Sequence, residues 1–282
     1  MSSFQNAREQ IGSNPVQSIF KRKKSVIGVI HSQALPGAPR YRGATAADIY
    51  EFALNEARRY QAGGVDGFIV ENHGDVPFLK PEAIGPETPA LMAVMADLVR
   101  RETGLPVGIN VLANAAHHAL AIAKASTADF IRVNQWSNAY VANEGIIEGP
   151  AATAMRYRRS LSADDIKIFA DVHVKHGAHA ITADRSIEEL ALDNEFFDAD
   201  VAIATGQRTG DAATLDELTT IKSATTLPVV VGSGVTADNV GDILSVADGV
   251  IVASSLKHGG SWLNTVDQAR VERFMNVVEK LR

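Results

Sequence analysis

Leu227-Pro228-Val229-Val230-Val231-Gly232-Ser233-Gly234-Val235-Thr236 leads through residues 237–246 into Gly249-Val250-Ile251-Val252-Ala253-Ser254-Ser255. Two short β-branched runs flank a segment of helical length, and the order strand, helix, strand is the repeating unit of a parallel sheet. The runs are apolar throughout rather than alternating, so both faces of the sheet are covered. Each run ends in small residues, where a ligand can approach the backbone closely.

The same unit recurs towards the N-terminus. Strands are expected at Val26–His31, Gly67–Asn72, Val107–Leu112, Phe130–Asn134, Ile166–Val174, Val201–Gly206, Val229–Gly232 and Gly249–Ser254. Helices are expected from Thr45 to Tyr60, at Thr88–Thr103, Ala115–Ser126 and Ala151–Leu161, from Ser186, and at Leu215–Ala224, Ala237–Val246 and Val266–Leu281. Thr45 has the side chain to cap the first helix, Gly63-Gly64 stops it, and Ser186-Ile187-Glu188-Glu189 reads as a capping box. Residues 135–149 read as a long loop. Eight strands and eight helices predict a (β/α)8 TIM barrel in one domain over residues 25–282, behind a lead-in over residues 1–24. An open doubly wound sheet would need a glycine-rich fingerprint after strand 1, where this chain has Leu35-Pro36-Gly37-Ala38-Pro39.

Composition narrows the function classes. The 282 residues are 46% hydrophobic, 21% charged and only 6% aromatic, which suits a core of buried parallel strands. A formal charge of -6 argues against a nucleic-acid surface. The absence of cysteine excludes disulfides, thiolate chemistry and cysteine-ligated zinc. No apolar run reaches the ~18 residues of a membrane span, and the polar N-terminus lacks a secretory core, so the cytoplasm is the expected location. Lys21-Arg22-Lys23-Lys24 reads as a solvated approach to the first strand.

Alternation along the strands selects candidate site residues, because catalytic groups in this fold sit at the carboxyl ends. In strand 5, Ile166, Ile168, Ala170, Val172 and Val174 form an apolar row that must face the helices. Lys167, Phe169, Asp171, His173 and Lys175 form the row expected to face the lumen. Strand 4 contributes Arg132 and Asn134, strand 3 Asn110, strand 2 Glu71 and Asn72, and strand 1 His31. Burying so many ionisable groups unpaired would cost several kcal/mol each, so they are read as a functional set. His117 and His118 fall in helix 3 and read as packing or surface residues.

The turns after strands 7 and 8 read as an anion cradle. Gly232-Ser233-Gly234 can aim backbone N–H groups at a phosphate, and Ser254, Ser255 and Lys257 can complete the site. Gly206, at the end of strand 6, is expected to join it.

Further motifs carry a resemblance. Ala34-Leu35-Pro36-Gly37 follows His31. Val70-Glu71-Asn72-His73-Gly74-Asp75-Val76-Pro77-Phe78, Gly108-Ile109-Asn110-Val111-Leu112 and Phe130-Ile131-Arg132-Val133-Asn134 come next. Glu144-Gly145-Ile146-Ile147-Glu148-Gly149, Ala170-Asp171-Val172-His173-Val174-Lys175-His176 and the Gly-Ser-Gly-Val-Thr turn complete the set. From about Lys24 onward the chain resembles the BtpA/SgcQ family, although that family usually ends strand 1 in His-Leu and this chain has His31-Ser32. The resemblance implies a TIM barrel with a phosphate-binding end. One branch of the family is associated with photosystem I biogenesis, another with sugar-phosphate operons, and some members carry a nucleosidase label.

We therefore expect an enzyme acting on a small phosphorylated sugar or nucleoside-type metabolite. Asp171, His173, Lys175, Glu71 and His31 are the catalytic candidates, and Asn72, Asn110, Arg132, Asn134 and Glu148 the substrate-binding ones. For glycosidic bond cleavage, Asp171 or Glu71 would be the general base or cation stabiliser, and His173 or His31 the acid. Lys175 as a Schiff-base nucleophile for aldolase or isomerase chemistry is a second option. A non-catalytic phosphate sensor or assembly factor is a third. No cofactor motif is present, and a divalent metal held by His31, Glu71, Asp171 and His173 stays open. Partners are expected to be the metabolite and further copies of this chain in a homo-oligomer.

Overall fold

Val26 to Ile30 is buried without interruption, and so is Gly67 to Glu71, as strands covered on both faces must be. A computed structural model describes residues 14–206 and 214–282; residues 1–13 of the expected lead-in lie outside them. In chain order the strands are β1 (Ser25–His31), β2 (Gly67–Glu71), β3 (Val107–Asn110), β4 (Phe130–Val133), a hairpin of β5 (Ala139–Ala142) and β6 (Gly145–Glu148), then β7 (Lys167–Asp171), β8 (Val201–Ala204), β9 (Val229–Val231) and β10 (Gly249–Val252). The helices are α1 (Pro15–Phe20), α2 (Ala46–Ala62), α3 (Glu87–Thr103), α4 (Ala116–Ser126), α5 (Ala151–Ser160), α6 (Ile187–Phe196), α7 (Leu215–Ala224), α8 (Val240–Val246) and α9 (Gln268–Val278). All strands except the hairpin pair in parallel and close as β1-β2-β3-β4-β7-β8-β9-β10 back to β1, the (β/α)8 barrel expected from the sequence.

Local signals act where they were read. Thr45 and Ser186 each form a capping box, with Asp48 and Glu189 respectively. Gly104 ends α3 in the left-handed conformation that favours glycine.

Two apolar layers hold the barrel. One lies between strands and helices. The other fills the lumen and is built from Ile27, Val29, Ile69, Phe130, Phe169, Val201, Ile203, Val230 and Ile251. From α1, Val16 and Phe20 enter this inner cluster, and the Phe20 ring stands edge-on to Phe130 at 5.8 Å. Phe130 stacks on Phe169 at 4.3 Å. Each such aromatic removed from water contributes about 1.5–3 kcal/mol. Gly108 makes this possible: a Cβ there would sit 2.2 Å from the Phe130 ring.

Two expectations need correction. Residues 135–149 are not an irregular loop, because β5 and β6 pair antiparallel across residues 139–148. Tyr140 and Ile147 turn inward onto Val174, while Val141 and Ile146 face out, the period-two alternation of a half-buried hairpin. Strand 5 was expected to run to Val174, but β7 ends at Asp171. Its neighbours β4 and β8 stop at Val133 and Ala204, so no ladder partner remains to carry the alternation on. Among the described residues, no helix is long and apolar enough to cross a membrane.

Candidate active site

Register sets the rim of the barrel. His31 lies beside Glu71, and Glu71 beside Asn110. Each is two residues beyond an apolar or small lumen position (Val29, Ile69, Gly108), so all three point inward at the carboxyl end. Arg132 stands above Phe130 on β4 and Asp171 above Phe169 on β7 in the same way. His31, Glu71, Asn110 and Arg132 line a cavity of 640 Å³, whose walls also include Tyr140, Lys175, Ser233, Ser255, Trp262 and Arg270.

Arg132 and Asp171 form a closed pair. The guanidinium donates through Nε to Oδ1 at 3.0 Å and through Nη2 to Oδ2 at 3.1 Å. Asn134 donates to Oδ2 at 3.2 Å, and Asn194 donates to the Asp171 carbonyl at 3.0 Å. Burial works against the Arg132 charge, yet Asp171, with a lesser contribution from Glu71, holds its pKa above the ordinary value. Gly232 gives the guanidinium room, since a Cβ there would meet Ile203 at 2.7 Å and Arg132 Nη2 at 3.3 Å. Arg132 lines the cavity, whereas Asp171 lies behind it, 3% exposed.

Across the cavity the groups are more loosely held. His31 Nε2 is 3.6 Å from Glu71 Oε1. The His31 ring stacks on His73 at 4.4 Å, and the Trp262 ring covers His73 at 4.4 Å. Lys257 Nζ, 2% exposed as a residue, sits 3.2 Å from His31 Nδ1 and donates to the Trp262 carbonyl at 3.2 Å. Burial first, and Lys257 second, push the His31 imidazole well below its ordinary pKa; burial also lowers His73. Both rings are therefore neutral near pH 7. Burial lowers the Lys257 ammonium too, while Glu56 and Glu71 pull it upward. Two atoms here are buried without a partner, His73 Nδ1 and Asn110 Oδ1.

The corner expected to hold an anion is assembled from three loops. Lys175 Nζ donates to Ser233 Oγ at 3.3 Å, and burial followed by Arg132 lowers its pKa. Ser255 Oγ donates to the Val235 carbonyl at 2.7 Å, which ties the turn after β10 to the turn after β9. From α9, Arg270 Nη1 donates to the Ser255 carbonyl at 3.3 Å and faces the cavity.

Not every expected site residue arrives there. Among them, His31, Glu71, Asn110, Arg132, Asn134, Lys175, Gly232, Ser233, Gly234, Ser254 and Ser255 line the cavity. His173 does not: past the end of β7 its ring turns onto His179 at 3.8 Å and lines a separate cleft with Arg185 and Glu217. Asn72 is a brace rather than a cavity residue. Its Oδ1 accepts from Leu112 N at 2.7 Å, and its Nδ2 donates to the Leu112 carbonyl and to Asp75. Asp75 in turn accepts from Leu35 N at 2.8 Å, so the Glu-Asn-His-Gly-Asp motif locks three strand-end loops together. Gly74 belongs to the same lock, since a Cβ there would meet the Gln33–Ala34 backbone at 2.5 Å. Glu148 lies exposed on the hairpin, where its carbonyl accepts from Asn114. Lys257 turns away from the corner to His31, and Gly206 is buried outside the cavity lining. The metal set His31, Glu71, Asp171 and His173 is not brought together, because Asp171 is held by Arg132 and His173 faces the other cleft.

Sequence reasoning missed His73, Trp262 and Arg270 as cavity residues. His73 stood in a quoted motif but lies past the strand end, and Arg270 sits in the first turn of a helix that gives no sign of reaching the mouth.

Residues 22–280 match the BtpA family. The chain belongs to that family. A BtpA-family relative from Synechocystis, named photosystem I biogenesis protein BtpA, is 41% identical over 92% of this chain and 89% of its own. A protein of Archaeoglobus fulgidus is 44% identical over 91% of this chain and 99% of its own. Solved structures share the fold at low identity. Thiamine phosphate pyrophosphorylase from Pyrococcus furiosus has a TM-score of 0.56 at 18% identity, covering 91% of this chain and 96% of that one. Geranylgeranylglyceryl phosphate synthase from Thermoplasma acidophilum, in complex with sn-glycerol-1-phosphate, has a TM-score of 0.56 at 14% identity, covering 94% and 97%.

Proposed function

We propose that this BtpA-family chain is an enzyme acting on a small phosphorylated sugar or nucleoside-type metabolite, with its phosphate in the corner after β9 and β10. One observation carries the reading: the corner and the ionisable rim share one cavity. Donors (Lys175, Ser233, Arg270) stand at one side, and acceptors (Glu71 and the unpartnered Asn110 Oδ1) at the other. A phosphate held at the first side leaves substrate hydroxyls to donate at the second. Binding energy from the phosphate then orients the reacting end. The binding of glycerol phosphate by the Thermoplasma neighbour agrees with this use of the fold.

For glycosidic bond hydrolysis, Glu71 takes the role of general base for water or stabiliser of the cationic transition state. Asp171 is withdrawn from it by Arg132. His31, neutral at pH 7, orients Glu71 and relays a proton rather than supplying one as imidazolium. A thermal-shift screen of sugar phosphates and nucleotides, followed by product analysis of each hit, tests the proposal. Stabilisation together with turnover supports it. Binding without turnover of any hit points instead to a ligand-sensing assembly role, in keeping with the name of the Synechocystis relative.

A second reaction is favoured by the place of Lys175, which lines the cavity with Nζ 3.3 Å from Ser233 Oγ. Burial and then Arg132 disfavour its ammonium, as Schiff-base formation with a phosphorylated carbonyl compound requires. Borohydride trapping decides it: an adduct on Lys175 supports an aldolase or isomerase, and no adduct with any such compound sinks it. The exposed hairpin pair Val141 and Ile146 supports association of copies of this chain, which sedimentation measures.

A further inference from the structure

We propose that His31, Glu71 and His73 form a binding site for one divalent first-row transition-metal ion at the β1–β2 side of the cavity, with Asn110 Oδ1 as an additional ligand. Each of the three residues offers a ligand atom, and these atoms lie within 4.8 Å of one another. Ligands about 2.0–2.2 Å from one ion stand roughly 3–4 Å apart, so a small contraction closes the set. His73 also turns out of its stack on His31, because stacked rings do not aim their lone pairs at one point.

Three further observations point to a ligand here. His73 Nδ1 is buried with no hydrogen-bond partner. Asn110, 1% exposed, carries an unpartnered Oδ1 and lies beside Glu71 in the β2–β3 register. A carbonyl-type oxygen donates nothing, and with no donor to it among the described residues a cation is a group that can satisfy it. The third is an outer-shell partner: His31 Nδ1 lies 3.5 Å from the Trp262 carbonyl. Lys257 Nζ, 3.2 Å from the same Nδ1, donates to it while the ion is absent. When the ion takes Nε2, the atom facing Glu71, the ring proton sits on Nδ1 and turns to the carbonyl, as on a metal-bound histidine.

The donor chemistry selects the class of ion. Two imidazoles and one carboxylate suit zinc, iron(II), manganese or cobalt rather than magnesium or calcium. His31, Glu71 and His73 are the three strong ligands, and with Asn110 Oδ1 as a fourth a five- or six-coordinate ion still keeps positions open to the cavity, as in catalytic rather than structural sites. The neighbouring Lys257 ammonium opposes the ion's charge and sets a limit on its affinity. The proposal does not rest on the phosphate reading, since none of these residues belongs to the corner.

The test uses the full-length chain stripped with chelator. It is titrated calorimetrically with zinc and manganese salts, and with cobalt(II) while its visible spectrum is followed, all in phosphate-free buffer. One ion per chain, a cobalt spectrum of nitrogen–oxygen coordination, and a loss of affinity in both Glu71→Gln and His73→Gln larger than the ~10–100-fold of outer-shell changes would establish the site. Melting curves of the two variants confirm that they fold, and the cobalt spectrum of the unaltered chain needs no variant. Absence of stoichiometric binding by the unaltered chain, or binding that both variants retain, overturns the proposal. Titration with inorganic phosphate alone, without metal, reports on the corner independently.

Discussion

Two charged sets face each other across the mouth of the barrel, and they are built differently. Arg132 and Asp171 meet in a bidentate pair, with Asn134 and Asn194 taking up the remaining acceptors of Asp171. His31, Glu71 and His73 meet at 3.6 Å or through stacked rings, and partnerless buried atoms lie among them. A bidentate pair with a further donor on its carboxylate has little reason to rearrange for a ligand. A set with unspent donors and acceptors is held at a cost that a ligand can repay. The first set presents one face of Arg132 to the cavity, and the second is the one the proposals above assign to chemistry or a cation.

The largest effect should come from opening the closed set. Asp171→Ala leaves a buried guanidinium unpaired and should cost about 3–5 kcal/mol in denaturant unfolding. A loss under about 1 kcal/mol would mean that the pair is not closed. On the loose side, Glu71→Gln should change stability by less than about 1 kcal/mol. It should nevertheless lower turnover of a phosphorylated substrate by about 10²–10⁴-fold, once the screen supplies one. Equal damage to folding and turnover would erase the distinction between the two sets. Asn72→Ala removes the brace on Leu112 and Asp75 and should cost about 1–3 kcal/mol in unfolding free energy. Phosphate affinity should change little, because Asn72 does not line the cavity.

Smaller effects sharpen the same contrast. Arg270→Ala should weaken inorganic phosphate binding by about 3–10-fold, read by calorimetry, with the melting temperature nearly unchanged. Acid should act through the buried histidines, two of which stand on the loose side. The folded-state pKa values of His31 and His73 are lowered by burial, and that of His173 by burial and then His179. An unfolded chain takes up these protons as pH falls through about 6.5, whereas the folded chain resists them until lower pH. Their contribution is therefore complete above about pH 6.5 and is lost as pH drops towards the folded-state values. The melting temperature should be lower at pH 5.5 than at pH 7.5, and His31→Gln should reduce that difference. A flat profile would contradict the burial argument.

The fold was legible because it rests on local, repeated signals: β-branched runs of strand length, helix caps at Thr45 and Ser186, and glycine stops. The rim was legible as far as the strands run. His31, Glu71, Asn110 and Arg132 point where alternation says they must. Legibility ended at the strand ends. Past Val172, whose N–H still bonds Ile203 of β8, there is no neighbouring strand to hold the two-residue period, so His173 turned into a different cleft. Residue type also misled at Asn72 and Lys257. A polar side chain at a strand end can serve the backbone of a neighbouring loop or a buried imidazole as readily as a substrate.

What the sequence alone determined is the barrel, the identity of the inward rows and the place of the small-residue turns after β9 and β10, because each follows from backbone periodicity and from where glycine and serine permit close approach. Only the tertiary structure decided which ionisable groups pair. Arg132 and Asp171 are 39 residues apart, and His31 and Lys257 are 226 apart. Their meeting depends on barrel closure and strand register, which no local pattern encodes. That closure separated a satisfied ion pair from an unsatisfied cluster, and with it the scaffold from the candidate site.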